Sequence, residues 1–211
     1  AVGGSGFWHE LARLMGATGR GVDYIQIDGG GGGTGAAPLV FSDHVSLPFK
    51  VGFTRVFPVF AERGLEDKVV FIGSGRLGFP EEAAFAMALG CDMVAVAREA
   101  MMAIGCIQAQ RCHTDHCPTG VATHNRWLMR GLDPASKSAR LANYMVTFRK
   151  ELMWIVHACG KHHPYELVLE DFEILAPGFR TDHPRAHFGY HPDWRTPRPE
   201  RLVALKQLMP T

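Results

Sequence analysis

The residues best suited to chemistry are three cysteines that lie close together. Cys106, Cys112 and Cys117 fall within twelve residues, and the chain has five cysteines in all. An odd count with this clustering favours metal or cluster ligation over a disulfide framework. Thiolates are soft ligands for iron and zinc. Three of them suit a three-iron four-sulfur (3Fe–4S) cluster, because its missing fourth iron removes the need for a fourth ligand.

Two other interpretations of this cysteine segment remain open. Zinc would be held by the three thiolates together with either His113 or His116, which would complete a tetrahedron. In the other interpretation the three thiols are structural. The remaining cysteines, Cys91 at the start of a predicted strand and Cys159 near a predicted helix end, are expected to be packing residues.

A second candidate site lies between a predicted strand and a predicted helix. Glycines in the segment Gly73-Ser74-Gly75 would let the backbone approach a phosphate, whose charge the amide groups and the helix dipole would stabilise. Arg98 follows the next strand and would add a charge-assisted contact. A tight turn that requires positive φ is the alternative explanation.

The same segment also matches the dinucleotide fingerprint G-x-G-x-x-G through Gly73, Gly75 and Gly78. Pro80 places the helix start beyond Gly78, whereas the fingerprint has its third glycine inside the helix. The position about 20 residues further on is Arg98 rather than an acid. These two differences favour a phosphate site over a dinucleotide site.

A glycine tract forms the third candidate. Residues 29–33 are all glycine, and Thr34 and Gly35 follow. Such a loop would let a planar ligand or a substrate contact the backbone closely. A flexible loop without a ligand is the alternative.

Each glycine segment follows an apolar run that is typical of a buried strand. The predicted strands are residues 23–27, 68–72 and 93–97, with helices between them. Buried strands that alternate with helices imply a parallel sheet, so the class is α/β. The predicted helices span residues 48–63, where Pro58 should kink or split the helix, 80–89, and a stretch from about residue 99 that carries Cys106.

After the cysteine segment the pattern becomes helical. A long helix is predicted over residues 136–157, capped by Ser136 and ended by Gly160. Five prolines between residues 176 and 200 predict an extended tail.

The predicted elements are too few to close a barrel. An eight-stranded parallel barrel needs about 250 residues, and this chain has 211 residues and three predicted strands. The chain therefore resembles the second half of a barrel, and we expect it to be a fragment. With 22 Lys+Arg against 21 Asp+Glu, its charge gives no support to a nucleic-acid partner. No apolar stretch is long enough for a membrane span, and we expect a cytoplasmic protein.

Together the motifs resemble the FMN-binding synthase domain of the glutamate synthase family. The resemblance rests on the glycine tract that ends in Ala36-Ala37-Pro38, on Gly73-Ser74-Gly75, and on the cysteine segment from Gly105-Cys106 through Cys112-His113 to Cys117-Pro118. It covers residues 5–175. It implies the C-terminal half of a TIM (β/α)8 barrel followed by an iron–sulfur loop and a helical extension. The expected domains are residues 1–130 for the partial barrel with the cluster loop, 131–175 for the helical extension and 176–211 for a Pro-rich tail.

The resemblance also implies a reaction and its cofactors. In this family 2-oxoglutarate and ammonia form 2-iminoglutarate, which hydride from FMN reduces to L-glutamate, and a 3Fe–4S cluster relays electrons to the flavin. The electron donor would be ferredoxin or an NAD(P)H-oxidising subunit. Carried over by position, the residues fall into three groups: cluster ligands Cys106, Cys112 and Cys117; FMN phosphate residues Gly73, Ser74, Gly75, Ala97 and Arg98; and flavin and substrate residues Gly33, Thr34 and Gly35.

The chain departs from the family pattern in three ways. It has no cysteine nucleophile of a glutaminase domain, so ammonia derived from glutamine would have to come from a partner. Gly31 stands where the family's glycine loop usually carries a glutamate. The first half of the barrel is missing, so the chain would be inactive alone. The alternatives are a non-catalytic zinc-bearing structural or interaction module, and a related FMN oxidoreductase that acts on another amino compound.

Overall fold

A three-stranded parallel sheet lies at the centre of the computed structural model, which describes residues 1–31, 41, 45–196 and 198–208. The strands are β1 (Tyr24–Asp28), β2 (Val70–Ser74) and β3 (Met93–Ala95), in the order β1-β2-β3. Register places Ile27 beside Gly73 and Ser74 beside Ala95. The predicted α/β class is confirmed, and the strands lie where the apolar runs predict them, with every end within two residues.

The two faces of the sheet differ in burial. Ile25, Ile27 and Phe71 are buried on one face. Tyr24, Val70 and Met93 point to the opposite face and are exposed. A half-covered parallel sheet is unusual for an isolated domain, because parallel sheets have both faces covered. The architecture is compatible with part of a (β/α)8 barrel.

Helix α2 (Phe49–Ala61) runs through Pro58 without interruption. Of the two outcomes predicted for Pro58, a kink or a split, the split is therefore wrong. Loss of one backbone hydrogen bond at an interior proline costs about 3 kcal/mol, while burial of one Val or Phe side chain contributes about 1.5–3 kcal/mol. Phe53, Val56, Phe57 and Phe60 are all buried along this helix, and that packing outweighs the cost.

The other helices of the sheet region are α1 (Gly6–Thr18), α3 (Pro80–Leu89) and α4 (Arg98–Ala103). As predicted, α3 has Pro80 in its first turn and ends at Gly90, whose φ of +124° suits glycine. The expected position of Cys106 within a helix is wrong. Helix α4 ends at Ala103, and Gly105 with φ +113° turns the chain before the cysteine.

Helix α5 (Pro134–Ala158) is the longest and packs against α3 and α4. Its cap is Asp133, whose carboxylate accepts from the Ala135 and Ser136 amides, so the predicted cap at Ser136 is wrong. Two features favour Asp133: a carboxylate accepts amide hydrogen bonds well, and Pro134 suits the first helical position. No helix within the described ranges is long and apolar enough to cross a membrane.

The segment from residue 174 onward is folded, so the extended tail predicted between residues 176 and 200 is not formed. It contains an antiparallel pair of strands, β4 (Ile174–Ala176) and β5 (Arg180–Asp182), then helices α6 (Pro184–Phe188) and α7 (Pro199–Leu208). Tyr190 is buried, stacks on Phe57 with ring centroids 5.6 Å apart, and donates to the Leu89 carbonyl at 2.9 Å. These contacts make the Pro-rich segment part of the core.

Candidate functional site

The carboxyl ends of the three parallel strands meet at one edge of the sheet, where their loops contact each other. The Gly29 amide donates to the Ser74 carbonyl at 2.7 Å, which joins the loop after β1 to the end of β2. Arg76 Nε donates to the Gly31 carbonyl, also at 2.7 Å. The glycine tract and the Gly73-Ser74-Gly75 segment, distant in sequence, are therefore neighbours.

These loops border a cavity of about 700 Å³, which lies within the range of about 300–1,000 Å³ typical of small-molecule sites. Its walls include the apolar side chains Phe49, Leu77 and Phe79. Lys50 and Glu82 both line the cavity and form an ion pair, with Lys50 Nζ 3.0 Å from Glu82 Oε2. Among the described residues, the charged side chains that line the cavity are those of Lys50, Arg76, Glu81, Glu82 and Glu99.

Gly73 and Gly75 lack side chains for different reasons. A Cβ on Gly73 would lie 2.8 Å from Cys91 Sγ and 2.9 Å from the Phe49 ring, so core packing beneath the site requires this glycine. Gly75 has φ +126°, and a Cβ there would lie 3.0 Å from the Gly29 Cα. The second glycine allows two strand-end loops to approach each other beside the cavity.

Gly78 makes room for an acidic side chain. A Cβ on Gly78 would lie 2.5 Å from Glu99 Cβ and 2.6 Å from Glu99 Oε2. The Gly78 carbonyl accepts a 2.6 Å hydrogen bond from the Tyr144 hydroxyl of α5. Because α3 begins at Pro80, Gly78 lies outside the helix, and the dinucleotide arrangement with its third glycine inside the helix is not formed.

Glu99 is a site residue that the sequence analysis missed. It lies in the first turn of α4, is 6% exposed and lines the cavity. Burial, and to a lesser degree the negative charge of Glu99, raise the pKa of Tyr144 to about 12. The available signal was an acid directly after a predicted strand and Arg98, at the edge where sites of parallel sheets form.

The residues expected at the FMN phosphate occupy different depths. Gly75 lines the cavity, whereas Gly73 and Ser74 lie within β2 and are buried beneath it. Ala97 and Arg98 lie at the start of α4, half-buried. The residues expected at the flavin and substrate, Gly33, Thr34 and Gly35, lie outside the described residues.

The cysteine segment follows α4 as an irregular loop. Cys106 is half-buried, and its sulfur accepts from the Gln108 amide at 3.4 Å. Cys112 begins a short 3-10 turn, Cys112–Thr114, and is also half-buried. Cys117 is buried beyond this turn. None of the three is in a disulfide, and Cys91, inside the core as expected, is also free.

The surroundings of Cys117 favour a thiolate. Burial would raise the pKa of its thiol, but hydrogen bonds from the Thr119 hydroxyl and from the amides of Ala122, Thr119 and Val121 outweigh it and lower the pKa to about 7. The Thr119 hydroxyl oxygen lies 3.4 Å from the sulfur. A thiolate with several N–H and O–H partners has the chemistry expected of a metal or cluster ligand.

Among residues 1–31, 41, 45–196 and 198–208, no group of three or more His, Cys, Asp or Glu side chains is arranged to hold a metal ion. The ligand set Cys106, Cys112 and Cys117 therefore stays a prediction, as does the zinc alternative. In the zinc alternative, His116 could bind the metal through only one ring nitrogen. Its Nδ1 lies 2.6 Å from the Thr114 carbonyl, and this contact occupies the other nitrogen.

Comparison with known proteins gives a consistent result. Residues 9–162 match the family described as the conserved region in glutamate synthase. Over 156 residues the chain is 38% identical to the glutamate synthase large subunit-like protein YerD of Bacillus subtilis, covering 74% of this chain and 30% of that protein. It is 38% identical over 138 residues to the archaeal glutamate synthase [NADPH] of Methanocaldococcus jannaschii, covering 65% of this chain and 27% of the relative.

A third similar protein is the ferredoxin-dependent glutamate synthase of Cyanidium caldarium, with 34% identity over 146 residues. The match covers 69% of this chain and 9% of that relative. The chain thus spans less than a third of the length of each of these three relatives.

Proposed function

Because this chain belongs to the glutamate synthase family, we propose that it is part of an iron–sulfur flavoprotein that aminates 2-oxoglutarate reductively to L-glutamate. The observation that carries the proposal is the convergence of the glycine tract and the Gly73-Ser74-Gly75 segment on one cavity within the matched region. We also propose a cytoplasmic location. Since the chain covers under a third of the three relatives named above, protein beyond this chain would complete the flavin pocket.

The strand-end loops fit the phosphate end of FMN. Gly75 lines the cavity without a side chain, and backbone amides are good donors to phosphate. In this proposal the phosphate is held by Gly73, Ser74, Gly75, Ala97 and Arg98. Gly73 and Ser74 lie in β2 beneath the cavity and would position the loop that contacts the phosphate. FMN would supply hydride transfer to the substrate.

The cysteine loop fits an anionic sulfur ligand set. Cys117 has a lowered thiol pKa and four hydrogen-bond donors around it, and the Cys106 sulfur accepts from a backbone amide. We propose that these two and Cys112 ligate a 3Fe–4S cluster, which would pass single electrons to the flavin. The chain's own part is to stabilise the Cys117 thiolate and to shield the three sulfurs partly from water.

The electron donor follows from the relatives by analogy. One relative is named as NADPH-dependent and another as ferredoxin-dependent. We propose that this protein receives electrons from ferredoxin or from an NAD(P)H-oxidising subunit. Its nitrogen source would be ammonia, free or released from glutamine by a partner.

The proposal is tested by measuring the metal, sulfide and flavin content of anaerobically purified protein. We expect iron, acid-labile sulfide and FMN, with an electron paramagnetic resonance signal from the oxidised cluster. Cys112→Ser should lose iron and sulfide, while the matched variant Cys159→Ser, at the end of α5, should keep both. Zinc without sulfide or flavin would overturn the proposal in favour of a structural module.

A further inference from the structure

A second cavity, of about 510 Å³, lies at the amino end of β3. Cys91 and Asp92, which directly precede this strand, line it, and so do Ala204 and Leu205 of α7. None of its described lining residues borders the cavity at the carboxyl ends of the strands. Its volume lies within the range of about 300–1,000 Å³ typical of small-molecule sites. Part of its wall lies beyond residues 9–162, which match the family, so this cavity is separate from the site described above.

Arg195 brings an unpartnered donor to this cavity. It lines the cavity, and its Nη2 atom is buried without a hydrogen-bond partner among the described residues. The rest of the guanidinium is fixed, since Nε donates to the Met87 carbonyl at 3.1 Å and Cζ lies 4.4 Å from the centroid of the Tyr165 ring. Arg195 also has φ +60°, a left-handed conformation that few residues other than glycine, asparagine and aspartate adopt. The side chain is therefore held in one place, with one donor left for a further group.

The acids beside the cavity are engaged elsewhere. Asp92 Oδ2 accepts from the Phe71 amide at 2.9 Å. Asp67 Oδ1 lies 3.5 Å from a guanidinium nitrogen of Arg201, the second arginine of the cavity wall. Arg201 is therefore already paired, and Arg195 is the arginine that remains to be matched.

One other buried side-chain atom of the described structure lacks a partner, Glu66 Oε2. Glu66 and Arg195 both line a smaller cavity that adjoins the first, yet Glu66 Oε2 and Arg195 Nη2 do not bond each other. A bridging water would satisfy both atoms, whereas a ligand of the larger cavity would satisfy Arg195 alone.

The chemistry of the wall selects the class of ligand. A buried guanidinium donor is costly to leave unpaired, and a carboxylate is a strong acceptor for it. Met87, Pro164 and Leu205 give the wall an apolar part that suits an apolar body. A phosphate monoester carries up to two negative charges, and a dicarboxylate such as 2-oxoglutarate would place its second charge against this apolar part or beside Asp92. A single carboxylate therefore fits best.

We propose that this cavity binds a small organic monocarboxylate with an apolar body, whose carboxylate accepts from Arg195 Nη2. The site goes beyond the proposed reductive amination and does not depend on it. Its ligand also differs in class from 2-oxoglutarate and L-glutamate, which carry two carboxylates.

The test follows thermal unfolding of the full chain at constant ionic strength, with hexanoate as the probe. Hexanamide has the same chain without the charge, acetate has the charge without the chain, and 2-oxoglutarate has a second charge. A ligand that binds the native state raises the unfolding midpoint with its concentration, and the dependence gives an apparent Kd. We expect hexanoate to bind at least about tenfold more tightly than each of the three controls.

Variants assign the binding to Arg195. Arg195→Gln should weaken hexanoate binding by at least about tenfold, because it removes a charge-assisted hydrogen bond. The control Arg198→Gln removes the same charge from an exposed side chain that does not line the larger cavity, and it should bind like the wild type. Each midpoint shift is measured against the same variant without ligand.

Arg195→Gln also loses the contact with Tyr165, so a second variant tests the cavity without changing any charge. Ala204 is an exposed residue of α7 that lines the cavity. Ala204→Phe should fill part of the space and weaken hexanoate binding by at least about tenfold, while its midpoint without ligand stays close to that of the wild type.

Four outcomes would overturn the inference: no response to hexanoate, an equal response to hexanamide, an equal response to acetate, or equal binding of hexanoate by Arg195→Gln and the wild type. A water between Arg195 and Glu66 would then account for both unpartnered atoms. Flavin and iron content play no part in these outcomes, so the failure of either proposal leaves the other standing.

Discussion

Cys117 shows how single hydrogen bonds set the chemistry of a side chain. Burial alone would raise the pKa of its thiol, yet the hydroxyl of Thr119 and three amides lower it to about 7. The spacing to Cys106 and Cys112 predicts Cys117 as a ligand. The donors are not predictable from the sequence, because Thr119, Val121 and Ala122 reach the sulfur only through the turn that follows Pro118.

We predict that Thr119→Ala raises the pKa of the Cys117 thiol from about 7 towards its ordinary value of 9.0. The thiolate is the reactive form, so alkylation of metal-free wild-type protein should increase as the pH rises through about 7. In the variant the increase should occur at higher pH. Site-resolved mass spectrometry of alkylated peptides measures this, with Cys159 as the internal reference. Identical pH profiles for the two proteins would contradict the role of Thr119.

Gly78 gives a second prediction at this scale. Its Cβ would lie 2.5 Å from Glu99 Cβ, so Gly78→Ala must displace the Glu99 side chain or the loop. We expect a loss of about 1–3 kcal/mol in the free energy of unfolding, measured by urea denaturation. The control is Gly16→Ala in α1, where nothing lies within 4 Å. Removing a glycine from that helix should stabilise the protein by about 0.5–1 kcal/mol. If Gly78→Ala and Gly16→Ala changed the free energy of unfolding equally, the Glu99 side chain would not be confined by Gly78.

At the scale of the element, local signals located most helices and strands. Apolar runs predict all three parallel strands, the first two of them followed by glycine, and Pro80 and Gly90 predict both ends of α3, because these signals act over a few residues. The errors arose where nearby groups compete. Asp133 and Ser136 are both good caps, and only Asp133 is next to the favourable Pro134. Pro58 predicts a kink or a split in α2, but the helix is not split, because the burial of its aromatic face outweighs the cost of the proline.

The capping assignment is directly testable. Asp133→Ala removes the acceptor for the Ala135 and Ser136 amides and should lower the free energy of unfolding by about 1 kcal/mol. Ser136→Ala should change it by no more than about 0.5 kcal/mol, since exposed substitutions away from caps have small effects. Urea denaturation followed by circular dichroism measures both. A larger loss from Ser136→Ala than from Asp133→Ala would restore the cap predicted from the sequence.

For the whole molecule, contacts between distant parts of the chain were beyond sequence reasoning. The glycine motifs were recognised separately, but the hydrogen bond between Gly29 and Ser74, and with it the shared cavity, depends on strand register. The sequence predicts an extended tail between residues 176 and 200, because prolines interrupt its periodicity. Its fold depends instead on anchors such as Tyr190, which bonds a carbonyl 101 residues away in sequence.

Tyr190 tests whether this C-terminal segment is part of the cooperative core. Tyr190→Phe keeps the stacking on Phe57 but removes the hydroxyl that donates to the buried Leu89 carbonyl. We expect the free energy of unfolding to fall by about 1–3 kcal/mol, because the buried Leu89 carbonyl is left without its donor. The control Phe179→Ala, at the fully exposed turn between β4 and β5, should be close to neutral. The fluorescence of Trp194 is followed in a background in which the other three tryptophans, Trp8, Trp127 and Trp154, are replaced by Phe. If the segment belongs to the core, circular dichroism and this fluorescence will show one transition that shifts together in Tyr190→Phe. An earlier, separate fluorescence transition would instead mean that the segment unfolds on its own, and the core would then end near α5.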